Sequence, residues 1–154
     1  MLSHPEVAAN LGDGEYLDAV IKETLRLTPV IPTVGRWLAE PMRIAGYDLP
    51  ANVVAVPCTY LTHRRPDIWK EPAEFRPERF IGAKPSPYEF LPFGGGVRRC
   101  IGAAFAQFEM KIVLAEVFSR VKMKLRPSYQ ARVRLRNVTF TPSKGVPVIV
   151  EHKA

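Results

Sequence analysis

The sequence predicts a mainly α-helical fold with small antiparallel β-sheets, an α+β architecture. Three observations carry this expectation: two segments with apolar residues at helical spacing, short apolar or alternating runs around turn residues, and a proline-dense stretch between them. A chain of 154 residues suggests one domain, long enough to bury a sizeable core. A hydrophobic content of 47% argues against disorder. Proline is the outlier: 15 residues is about twice the usual ~5% share, so much of the chain must run as irregular loop.

The first helix is expected over residues 15–28, EYLDAVIKETLRLT, where Leu17, Val20, Ile21 and Leu25 share one face. Asp13 is the expected N-cap, and Pro29 ends the helix and starts an extended PVIP path. Residues 42–56 read as a β-hairpin whose two runs, 42–47 and 52–56, flank DLPA. A short helix or turn follows at 59–65. Residues 66–92 hold six prolines and predict a long meander, a kind of segment that is often functional. The strongest helix is expected over 102–120, with Ile101, Phe105, Phe108, Ile112 and Ala115 spaced 4, 3, 4 and 3. Residues 132–150 read as two terminal strands around a TPSKG turn.

The formal charge of +7 allows an acidic partner, but the basic residues do not form a run. The aromatics Phe75, Phe80, Phe90 and Phe93 lie in proline loops that read as core, so no nucleic acid is expected. Two cysteines, Cys58 and Cys100, cannot build a disulfide framework, and a reducing cytoplasm is the default setting. Cys58 lies in an apolar run and reads as a small buried core residue. No apolar run approaches the ~20 residues of a membrane span, and residues 1–10 have no signal-peptide pattern.

The chemistry concentrates in FGGGVRRCIG, residues 93–102. Glycines allow the backbone to curl into a nest of N–H groups, and a following helix adds its positive end. Both effects favour a thiolate at Cys100. A nucleophile wants a nearby base, and His4, His63 and His152 are all distant in sequence. A zinc site wants further closely spaced ligands, which are missing; a haem iron needs only one thiolate on that side. The loop ends in Cys-Ile-Gly, so it is no phosphate loop, which would end in Gly-Lys-Ser/Thr. Elsewhere, Glu23 and Arg26 are spaced i,i+3 and can pair. On an exposed helix that pair would be worth ~0.5 kcal/mol. Arg79, in FRPERF, is a third member that can pin the meander to the helix.

In this order, ETLR, FRPERF and FGGGVRRCIG strongly resemble the C-terminal part of the cytochrome P-450 family of haem-thiolate monooxygenases. HRRP, with Trp and Glu-Pro just after it at residues 63–72, is similar to the family's run between hairpin and meander. The family's Phe-x-x-Gly-x-Arg-x-Cys-x-Gly pattern matches at Phe93, Gly96, Arg98, Cys100 and Gly102. The resemblance covers the chain from about Gly14 onward and implies a partial domain of that fold. It implies haem b as cofactor, with Cys100 as axial ligand of its iron. Phe93 would shield the sulfur, Gly94 and Gly102 would shape the loop, and Arg98 and Arg36 would meet the haem propionates. Glu23, Arg26 and Arg79 are similar to the family's structural triad. Pro29–Val34 is similar to an apolar substrate-lining segment.

The activity implied is insertion of one oxygen atom of dioxygen into a small apolar substrate. The electron donor implied is an acidic ferredoxin or flavodoxin-like protein, docking on a face that Arg99 and Lys111 make basic. The distal helices of the family's fold have no counterpart in the chain. A truncated product is therefore expected, with the apolar faces of both long helices left uncovered. The alternative function is a catalytically inactive fragment that binds haem weakly or not at all.

Overall fold

The fold comes from a computed structural model, which describes residues 14–153. The expected cap at Asp13 lies outside the described residues. Helix α1 spans Gly14–Leu27 and places Tyr16, Leu17, Ala19, Val20, Ile21 and Leu25 in the interior. The apolar spacing of the sequence forces this. Residues three and four apart share a face, and that face is the hub of the core. Phe75 and Phe90 of the meander and Phe93 of the cysteine loop pack on it, as do Met110, Leu114 and Phe118 of the last helix. The expectation that this helix would be left with an uncovered apolar face is therefore wrong: the meander and the last helix cover it.

Four two-stranded antiparallel sheets follow among the described residues. Strand β1 (Arg36–Trp37) pairs with β4 (Val54–Ala55), and β2 (Met42–Ile44) pairs with β3 (Tyr47–Leu49). The expected hairpin over 42–56 is thus two different pairings. The turn forms at Ala45–Gly46, both with positive φ (49° and 89°), as a two-residue hairpin turn requires. Pro50 lacks an N–H and stands just past β3, and β4 then crosses to β1 instead. Helix α2 (Thr59–Thr62) falls inside the expected 59–65 segment. Cys58 precedes it and is half-buried, less enclosed than its apolar neighbours in sequence suggested.

The meander of residues 66–92 contains one short 3₁₀ turn, Pro77–Phe80, which packs on α1. Helix α3 spans Ala103–Arg120, close to the expected bounds. Strand β5 (Val121–Leu125) continues directly from it and pairs with β8 (Val148–Lys153). Strands β6 (Val133–Arg136) and β7 (Thr139–Pro142) form a separate hairpin. The expected turn at TPSKG is corrected to Asn137–Val138, where Asn137 takes a φ of 55°, a left-handed conformation that asparagine tolerates. The TPSKG segment is instead the corner that sends the chain back to β5.

Candidate functional site: a cysteine loop anchored to a buried ion cluster

Glu23 and Arg26 lie on the inner side of α1, both fully buried. Arg26 forks onto Glu23: Nε to Oε2 at 2.7 Å and Nη2 to Oε1 at 2.9 Å. Arg79, from the 3₁₀ turn, donates its Nε–H to the same Oε1 at 3.1 Å. The Arg76 backbone N–H adds a bond to Oε1 at 2.8 Å. The i,i+3 pair that would be weak on a helix surface is here the charged centre of the core. One carboxylate serves two guanidiniums and a backbone amide, so its buried charge is compensated and its lone pairs are occupied.

The remaining donors of Arg26 reach the chain that follows. Its Nη1–H groups bond the carbonyls of His63 (2.7 Å) and Pro72 (2.8 Å), and Nη2–H also bonds Glu74 O (3.1 Å). A planar fork with five donors is the side chain suited to this, because two of its N–H groups hold Glu23 while the other three meet backbone carbonyls of His63, Pro72 and Glu74. Arg79 likewise bonds Lys70 O at 2.8 Å. An irregular stretch of six prolines is thereby held by side-chain donors in place of a backbone ladder.

Sequence reasoning missed His63 as a member of this cluster. It is fully buried, stacked on Phe90 (ring centroids 5.4 Å apart) and edge-on to Trp69. Its Nε2 accepts the Leu91 N–H at 2.9 Å, and Nδ1 faces Arg26 O at 3.2 Å. Burial pushes its pKa down to about 4, helped by the Arg26 and Arg64 charges and opposed by the bond to Arg26 O. A lone histidine among basic and proline residues carries no periodic signal, so the sequence offered only its place in HRRP.

The cysteine loop starts where Leu91 leaves this cluster. Phe93 is half-buried, and its side chain turns inward onto the α1 core. Gly94 and Gly96 take φ of 73° and 64°, conformations that a side chain would strain. The loop closes on itself: Gly94 N–H bonds Leu91 O (3.0 Å), Cys100 N–H bonds Phe93 O (2.9 Å) and Arg99 N–H bonds Gly96 O (3.2 Å). None of these bonds ends on the sulfur. Cys100 is exposed, at the foot of α3. Gly102 has an ordinary φ of −84°, and a Cβ there would sit 3.8 Å from Cys100 Sγ. Its lack of a side chain therefore leaves the flank of the sulfur open and is not demanded by the backbone.

Val97 and Ile101, near Cys100 in the chain, are fully exposed; the cations Arg98 and Arg99 are also exposed and have no ion-pair partner among the described residues. Lys111 differs from the expectation of a free basic group: it pairs with Asp18 of α1 at 2.7 Å. Arg36 lies on β1 and bonds only its neighbour's Gly35 carbonyl (3.1 Å), and no hydrogen bond joins it to the cysteine loop among the described residues. Pro29 and Pro32 are buried, whereas Val30 and Ile31 are exposed. Strand β7 holds this segment through a 2.7 Å bond from Phe140 N–H to Val30 O. Among the described residues no three His, Cys, Asp or Glu side chains cluster as a metal site, and no helix is long and apolar enough to cross a membrane.

The comparisons with known proteins agree with one another. Residues 8–148 match the cytochrome P-450 family model. Putative cytochrome P-450 135B1 of Mycobacterium tuberculosis is 46% identical over 136 residues, covering 88% of this chain and 29% of its own length. Cytochrome P-450 3A29 of Sus scrofa is 40% identical over 140 residues, covering 88% of this chain and 28% of its own length. A solved structure, retinoic acid bound cyanobacterial CYP120A1, superposes with a TM-score of 0.82 at 29% identity, over 90% of this chain and 32% of that one. The chain thus spans about three tenths of the length of the relatives it matches. Its small antiparallel sheets and long helices are part of that fold, the family implies a haem cofactor, and this chain belongs to the cytochrome P-450 family.

Proposed function

We propose that this chain supplies the haem-thiolate part of a monooxygenase, with Cys100 as the axial ligand of the iron of haem b. The observation that carries this reading is the exposed Cys100 thiol, presented by a loop with two left-handed glycines and anchored to a buried ion cluster. The surroundings suit the group. Val97 and Ile101 offer apolar contact to a macrocycle, and Arg98 is a free guanidinium of the kind that pairs with a carboxylate. In this reading Phe93 packs behind the loop and fixes its depth, while Gly94 and Gly102 leave the approach to the sulfur clear. Arg36 is assigned the second propionate; its side chain is half-exposed and its charge is unpaired among the described residues.

When bound, haem supplies the reductive activation of dioxygen. The chain's own residues position it. Glu23, Arg26 and Arg79 fix the meander, the meander sets the height of the loop, and the loop sets the sulfur. Val30 and Ile31 face outward from the segment after α1 and would contact a small apolar substrate. Arg98 and Arg99 would meet an acidic ferredoxin or flavodoxin-like donor, without Lys111, whose charge is met by Asp18. A cytoplasmic setting belongs to this reading, in keeping with two cysteines that are both free thiols.

The test is spectroscopic. Haem-reconstituted, reduced protein exposed to carbon monoxide is expected to show the red-shifted Soret band of a thiolate-ligated haem, and Cys100→Ser is expected to abolish it. A folded protein that shows no such band after haem reconstitution would defeat the assignment and leave the inactive-fragment reading in its place.

A further inference from the structure

We infer that His63 is a positioning residue for the cysteine loop, its Nε2 lone pair tying the start of the loop to the buried Glu23–Arg26 cluster through the Leu91 amide. The inference deepens the proposed function and rests on it for the meaning of Cys100.

The geometry fixes the tautomer. An amide N–H can only donate, so the ring nitrogen it meets at 2.9 Å, Nε2, carries no proton. The single proton of the neutral ring is then on Nδ1, where Arg26 O stands 3.2 Å away as acceptor. Arg26 answers by donating Nη1–H to the His63 carbonyl at 2.7 Å. Helix α1 and the end of α2 are thus clamped in both directions, and the His63 N–H closes α2 on Thr59 O at 2.9 Å. Among the described residues, the ring is the part of this clamp that reaches forward to the loop, through the Leu91 amide. From Leu91 the path is short. Its carbonyl accepts the Gly94 N–H at 3.0 Å, and Phe93 O accepts the Cys100 N–H at 2.9 Å.

The link holds only while the ring is neutral. An imidazolium carries N–H at both nitrogens, and a proton on Nε2 would point a donor at the Leu91 donor. Among the described residues no uncommitted anion stands at the ring to offset the new charge. Glu23 is committed to Arg26, Arg79 and the Arg76 amide, and the other charged group near the ring is Arg64. The aromatic neighbours Phe90 and Trp69 carry no charge. Acid should therefore free Leu91 from the ring before it unfolds the sheets.

The experiment is read on the intact protein, with or without haem. Nitrogen-15 NMR of His63 is expected to show a protonated Nδ1 and a bare Nε2 at neutral pH. His63→Phe keeps a ring in the stack but offers no acceptor; His63→Gln offers an oxygen acceptor that cannot become a cation. Amide hydrogen exchange at Leu91, Gly94 and Cys100 is scored against Leu38, whose N–H bonds Val53 O at 2.9 Å in the β1–β4 region. The Phe variant is expected to raise the ratio about tenfold, the scale of one hydrogen bond, and the Gln variant to stay near wild type. Lowering the pH to 4 should raise the ratio in wild type and not in His63→Gln. A proton found on Nε2, or an exchange ratio that neither variant changes, would overturn the inference. If the Phe variant does not fold, the wild-type tautomer and the Gln pH profile still decide. Loss of haem binding with these results intact would count against Cys100 as ligand and not against His63.

Discussion

Helices α1 and α3 are the two long helices of the described chain, and both are rich in apolar residues, yet their surroundings differ sharply. In α1 the apolar face is closed over, and Val20 has no exposed surface. In α3 the stripe that the sequence picks out is the open one: Phe105 is 68% exposed and Phe108 63%, with Ile112 and Val113 also exposed. The α3 residues that do pack on α1 are Met110, Leu114 and Phe118, a second stripe on another side. A helix apolar on two sides has two surfaces to cover, and within the described residues only one is covered. The core therefore belongs to α1 and its polar centre, and α3 is attached to it by a single face.

The largest test of that asymmetry is the ion cluster. Arg26→Met should leave Glu23 buried with part of its compensation gone and should release the carbonyls of His63, Pro72 and Glu74. A loss of about 3–5 kcal/mol in denaturant unfolding is expected. A loss below ~1 kcal/mol would mean that the cluster does not govern the fold. Next come matched truncations on the two helices. Leu17→Ala on α1 should cost about 3 kcal/mol, because it opens a cavity beneath a side chain that is 4% exposed. Phe105→Ala on α3 should stay within about 0.5 kcal/mol, since the ring is largely in solvent. Equal costs would erase the distinction.

The pH dependence follows from His63. Its folded pKa of about 4 lies below the ordinary 6.5, so the unfolded chain binds more protons between those values. Stability from this group is complete above about pH 6.5 and falls as the pH drops toward 4, by up to about 3 kcal/mol. Unfolding curves for wild type and His63→Gln should diverge in that window, with wild type the steeper. Parallel curves would show that the ring titrates normally.

These residues also mark what was legible from the chain alone. Both long helices could be read because their apolar residues recur at helical spacing, and Cys100 because its glycines and arginines surround it in sequence. The meeting of Glu23, Arg26 and Arg79 was anticipated, but not its burial, since an i,i+3 pair has the same sequence on a surface as in a core. The 42–56 hairpin and the terminal strands were misassigned at their turns because Ala45–Gly46 and Asn137 are weaker signals than DLPA and TPSKG. Strand β5 was missed altogether: it runs straight out of α3 with no break, and its partner lies over twenty residues downstream. His63 was hidden for a related reason, since its role depends on three separate segments meeting at one ring.

The smallest effect tests the joint between the two helices. Asp18 of α1 bonds both Lys22 of its own helix (2.6 Å) and Lys111 of α3 (2.7 Å). Partial burial alone would raise the Asp18 pKa, yet the two lysines hold it below its usual value. Its contribution is therefore present above the ordinary carboxylate range and is lost as the pH falls through the lowered folded value. The Lys111 side chain is 44% exposed, so solvent screens much of the attraction and Lys111→Ala should cost only about 0.5 kcal/mol. The same change in 1 M salt should cost less still, because the Debye length there is only about 3 Å. A loss above ~2 kcal/mol, or one insensitive to salt, would mean that α3 is held to α1 by this pair more than by Met110, Leu114 and Phe118. The attachment of the helix that follows Cys100 would then be electrostatic, and the contrast drawn from its apolar stripes would fail at the point where the two helices meet.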